Sequence, residues 1–151
     1  MIKNSVNFKD DMSTNTRHIV LECISAVMLC VTAFPLVMYR RLKGLQVPQH
    51  LTKGVVDIWA DRSFFIYLFL IILALYALLS FVQRRTKHKK IGGKVIPWLK
   101  LWTMVWLAHL VITSYLIAIG KATSINVVIQ WVIVICALIH LALIFLLKSD
   151  S

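Results

Sequence analysis

Apolar residues fall into four long runs, Ile19–Tyr39, Phe64–Val82, Leu101–Ile119 and Ile125–Leu147, with most of the charges in the shorter stretches between them. A hydrocarbon core about 30 Å thick is crossed by roughly 20 helical residues at 1.5 Å each. All four runs reach that length. Backbone groups inside lipid must pair within their own segment, so each run is expected to be an α-helix. The pattern predicts an all-α membrane protein with four transmembrane helices in a small bundle. A polar arm, 1–18, would precede the transmembrane domain, 19–147, and a short tail, 148–151, would follow it. Pro35 falls late in the first run and is expected to kink it. The loop Gly120–Ser124 is so short that the last two helices must form an antiparallel hairpin.

Composition agrees with this pattern. Hydrophobic residues make up 60 % of the 151 positions and charged residues 15 %, a balance that no ordinary soluble core explains. The net charge of +11 would suggest nucleic acid in a soluble chain. Here the basic cluster Arg84, Arg85, Lys87, Lys89, Lys90 and Lys94 flanks spans and has no interleaved aromatics for base stacking. Anionic lipid headgroups are the expected partner of that charge, and nucleic acid is not.

Eleven of the 17 Lys and Arg residues lie in the amino-terminal arm, the second loop (counted here with Lys100) and the tail, and the other six lie on the opposite side. Cytoplasmic segments carry such an excess. Both termini are therefore expected to be cytoplasmic in a bacterial inner membrane, although Arg40 and Arg41 abut the first span on the other side. The first span is longer than a signal-peptide core and no small-residue cleavage pattern ends it, so it is expected to remain as an anchor. Cys23, Cys30 and Cys136 all fall within spans, which predicts small packing residues rather than disulfides or metal ligands.

The first loop is the most distinctive part of the chain. Residues 47–62 read Val-Pro-Gln-His-Leu-Thr-Lys-Gly-Val-Val-Asp-Ile-Trp-Ala-Asp-Arg. Pro48 and Gly54 predict turns, Trp59 suits the headgroup level, and Asp61 or Ser63 could cap the following helix. The order of Pro48, His50, Gly54, Asp57, Trp59 and Arg62 between two spans resembles the bacterial SdpI-like membrane domain of unknown function. Thr52 stands where that family commonly has Asn, and Arg62 where Lys is commoner. The resemblance covers about 34–82. It implies a part in immunity to, or signalling of, a membrane-active peptide, with these six residues as the ligand-binding set in a loop folded over the outer mouth of the bundle.

A second set of candidates lies inside the spans. On the third helix Trp98, Trp102, Trp106, His109 and Thr113 share a face, and on the fourth Asn126, Gln130, Ala137 and His140 do. Polar groups in a membrane usually face the bundle interior, so these faces are expected to meet. Depth estimated from helix rise pairs Glu22 with His140 and Tyr115 with Gln130, and puts His109 near the midplane.

Glu22, His109, Tyr115, Gln130 and His140 form the alternative candidate site, that of a small transport or proton-handling component. Neither set resembles an enzyme: the chain has no metal-spaced acidic motif, nucleophile elbow or phosphate-cradling loop, and no cofactor is implied. The expected partners are the bilayer and an extracytoplasmic peptide. Four thin helices leave little room for a pathway in one copy, which admits a homodimer.

Overall fold

A computed structural model describes residues 3–52, 55–86 and 92–149. In chain order it contains α1 (Lys3–Thr32), α2 (Phe34–Val37), a 3-10 turn (Tyr39–Leu42), strands β1 (Val47–Thr52) and β2 (Val55–Ala60), and helices α3 (Phe64–Thr86), α4 (Gly92–Ala118) and α5 (Val127–Ser149). Four segments are long and apolar enough to cross a membrane: Thr16–Val37, Phe64–Thr86, Gly93–Ala118 and Val127–Ile144. The four-helix membrane bundle read from the hydrophobic pattern is the fold.

The limits of the elements differ from the expected ones, for local reasons. No Pro or Gly interrupts residues 3–32, so the polar arm continues as helix into the first span instead of standing apart from it. That helix breaks at Ala33, just before Pro35, which has no N–H to donate. Thr32 Oγ1 donates to Leu29 O at 2.7 Å at the break, and α2 restarts with Pro35 in its first turn. The second loop, expected over Gln83–Pro97, is mostly helix. Helix α3 runs to Thr86 and α4 begins at Gly92, so Gly93, Pro97 and Lys100 belong to α4. Pro97 lies inside α4, in its second turn, so the Gly93 carbonyl lacks the amide that would otherwise pair with it.

Helix α4 is the axis of the molecule: α1, α3 and α5 each pack mainly on it, and α1 and α3 touch each other far less. At one end β1 and β2 form an antiparallel hairpin, with Val47 opposite Ala60, Pro48 opposite Trp59 and Thr52 opposite Val55. The register slips on either side of His50. A lone two-stranded sheet is marginal by itself, and here it leans on α4. Val47 and Leu42 are fully buried in one apolar cluster with Phe65, Ile72, Met104, Val111, Tyr115 and Ala118. Arg62 lies over the Tyr39 ring, 4.4 Å from its centroid, and joins the end of β2 to the 3-10 turn. The α4–α5 turn closes through Gly120 at φ 72°, a conformation glycine adopts without strain. Asn126 Oδ1 then accepts from the amides of Val128 and Ile129. Asn126 is thus the N-cap of α5 and not part of an interhelical polar face.

Candidate functional site

At the end opposite the hairpin, three helices bring polar side chains together. Helix α1 supplies Glu22, α3 supplies Tyr76 and Ser80 one turn apart, and α4 supplies Lys100. Lys100 Nζ donates to Glu22 Oε1 at 2.6 Å and to Ser80 Oγ at 2.7 Å. It also lies 3.9 Å from the centroid of the Tyr76 ring. Tyr76 in turn donates its hydroxyl to Glu22 Oε1 at 2.8 Å, and Ser80 Oγ donates to the Tyr76 carbonyl at 2.7 Å. The three protons of the ammonium thus meet a carboxylate, a hydroxyl and an aromatic face.

Helix rise sets the depth. Glu22 is six residues from Thr16, Ser80 six from Thr86 and Lys100 seven from Gly93, so all three lie about 9–11 Å inside the ends of their spans. None of the Lys100 side chain is exposed, whereas 42 % of that of Glu22 is. Glu22 lines a groove of about 840 Å³ between α1 and α3, together with Ile19, Cys23, Tyr76, Phe81 and the exposed Arg84. The Arg85 guanidinium lies over the Phe81 ring at 4.6 Å.

Lys100 and Ser80 were not among the candidates read from the sequence. The available signal was a lysine between Leu99 and Leu101 in an otherwise apolar stretch. Glu22 was a candidate, but its partners are Lys100 and Tyr76, not His140. His140 stacks instead on Trp98 with ring centroids 4.0 Å apart and has Trp102 at 6.4 Å. The aromatic stripe of α4 therefore does meet the His140 turn of α5. His109 does not join it: its Nδ1 is buried without a hydrogen-bond partner, as is Trp102 Nε1. The Thr113 hydroxyl donates back to the His109 carbonyl at 2.8 Å. Tyr115 packs edge-on against Phe34 at 5.3 Å, on the α2 side of α4, and Gln130 is half-buried on α5. Nor are the cysteines packing residues: Cys23, Cys30 and Cys136 are free and exposed, Cys23 on the wall of the groove.

At the hairpin end Pro48 is buried and Trp59, its partner in register, is exposed. His50 and Asp57 lie in β1 and β2, but their side chains, like the whole of Gly54, fall outside the described residues. A second cleft of about 580 Å³ lies between Trp59, Gly44–Gln46 and the end of α4. The turn Asp61–Ser63 receives the first α3 amides on its carbonyls, with Ser63 Oγ donating to Asp61 Oδ2 at 3.2 Å. The chain matches no family model, no curated protein and no solved structure.

Proposed function

We propose that this chain is a non-enzymatic, multi-pass protein of the bacterial inner membrane, with cytoplasmic termini, that serves as a small transport or proton-handling component. Glu22 keeps the part that sequence reasoning gave it, and Lys100 takes the place beside it that was expected of His109 and His140. One observation carries the reading: a lysine with no exposed side chain is ion-paired at 2.6 Å to a glutamate that is itself 42 % exposed to a groove. Ionisable groups this deep in a span are costly and mark ion or proton paths. Glu22 is reachable from the groove, while Lys100 behind it supplies the balancing charge.

The test is proton flux into liposomes loaded with a pH-sensitive dye. Wild type dissipates an imposed pH gradient faster than empty liposomes, Glu22→Gln abolishes the difference, and His109→Ala and His140→Ala keep it. Undiminished flux in Glu22→Gln defeats the proposal.

A second reading, SdpI-like immunity to or signalling of a membrane-active peptide, draws support from the hairpin. Strand β2 leaves Ile58 and Trp59 exposed beside the second cleft, a surface suited to an extracytoplasmic apolar or cationic peptide. Survival of cells challenged with such a peptide separates the two. Trp59→Ala lowers survival on the immunity reading, and Glu22→Gln lowers it on neither. In both readings the basic residues at the termini end contact anionic headgroups, and a homodimer would enlarge the path that one copy can enclose.

A further inference from the structure

The charges of the groove divide by depth. Near the end of the α3 span Arg84 lines the groove and is exposed, the Arg85 guanidinium lies on the adjoining Phe81 ring, and Gly93, in the first turn of α4, is followed by the exposed Lys94. All three side chains are cationic. Deeper in, Glu22 is the carboxylate among the described lining residues, and its charge is already matched by Lys100. No net negative charge therefore opposes the exposed cations. Between the two levels lies the apolar wall of Ile19, Ala77 and Phe81. Positive charge near the span end, a balanced pair behind it and an apolar wall together complement an anion on an apolar body.

Lys100 can serve such an anion while keeping its own proton. Its Nζ is 2.6 Å from Glu22 Oε1, so it stands directly behind a side chain that lines the groove, and Ser80 Oγ at 2.7 Å and the Tyr76 ring at 3.9 Å hold the ammonium from α3. We propose that the groove binds an amphiphilic organic anion, one acid group on an apolar body, together with one proton: Glu22 takes the proton, and the anion takes over the contact to Lys100 that the carboxylate gives up. This rests on the reading of Glu22 as the proton-accepting group, and adds the ligand that accompanies the proton. The charges balance. One proton and one anion enter, Lys100 remains an ammonium with its cation–π contact, and it faces one negative charge before and after, as a buried cation requires. The neutral Glu22 carboxyl still has the Tyr76 hydroxyl and the Gln83 side chain beside it. The other titratable or charged groups around Glu22 are His18 and Cys23 from α1, Tyr76 and Arg84 from α3, and Lys100 from α4. His140 of α5 stacks on Trp98, two residues from Lys100 and so on nearly the opposite face of α4.

The probe is anilinonaphthalene sulfonate, an aromatic body whose sulfonate stays ionised, titrated by fluorescence into the purified full chain against protein-free micelles, with cationic dansylcadaverine as control. Because the probe does not titrate, calorimetry in two buffers of different ionisation heat counts protons taken up by the protein. Wild type binds the anion saturably, takes up about one proton per anion, binds more weakly as pH rises, and ignores the cation. Glu22→Gln, which imitates the protonated carboxyl, binds the anion at least as tightly with no proton uptake and no pH dependence. Lys100→Met combined with Glu22→Leu, which removes both charges together, weakens binding about tenfold or more, the weight of one charge-assisted contact. Ala77→Trp, which fills the groove and leaves the ion pair alone, does the same. Anion binding by wild type without proton uptake, uptake that persists in Glu22→Gln, undiminished binding by the double variant, or preference for the cation overturns the proposal. Proton flux without anion binding would defeat this inference and leave the transport reading standing; anion binding with proton uptake but no flux would do the reverse.

Discussion

The two ends of the bundle are held by different physics. At the hairpin end Leu42, Val47, Phe65 and Tyr115 close the structure by apolar contact shared among many side chains. At the other end one carboxylate oxygen, Glu22 Oε1, accepts from both Lys100 and Tyr76 and ties three helices together. The first arrangement spreads its stability over many contacts, and each side chain can be trimmed with a graded loss. The second concentrates it, so the response to a change depends on whether a charge is left without its partner. The concentrated end also has the larger of the two clefts described, about 840 Å³ against about 580 Å³.

The contrast is broken most severely by Lys100→Met alone. It strands Glu22 in the span and should destabilise the purified protein by about 3 kcal/mol in a denaturant titration, a buried-pair loss reduced because Glu22 is partly exposed. Adding Glu22→Leu should recover most of that loss. A single variant as stable as wild type would show that the pair does not hold the helices. Leu42→Ala, at a fully buried site, should cost about 2–3 kcal/mol for its cavity with no change in proton flux at the far end. Altered flux would mean that the two ends are coupled. Tyr76→Phe sharpens the comparison from within the network: it keeps the ring beneath Lys100 and removes one hydrogen bond to Glu22, for about 1 kcal/mol. The smallest effect is expected of Arg62→Gln, which loses only the guanidinium over Tyr39, worth about 0.5 kcal/mol. Protease accessibility of the hairpin should register that change before thermal unfolding does.

The spans were legible because length and apolarity suffice to define them. Their packing was not. Helical depth places Glu22 and His140 at comparable levels but says nothing of direction around the bundle, and α1 and α5 pack on α4 with almost no contact between them. Lys100 escaped because a charge at the edge of an apolar run reads as the end of a span. What makes it interior is Glu22, 78 residues away, which no local pattern contains. The hairpin was hidden in the same way. Pro48 within β1 and the register slips around His50 erase the alternation that announces a strand, and the pairing makes sense only once α4 supplies a surface for Val47.

The 78-residue separation within the ion pair also sets an order of events during synthesis. A ribosome adding about 5–20 residues per second places Glu22 in the nascent chain roughly 4–16 s before Lys100 exists. Tyr76, 54 residues after Glu22, is made sooner, so the phenol on α3 is the first lasting partner the carboxylate can find. Lys100 then arrives on α4, the helix that α1 and α3 both pack against. Until then no ammonium balances the carboxylate, whose α3 partners Tyr76 and Gln83 are neutral, and membrane quality control would meet the chain at that stage.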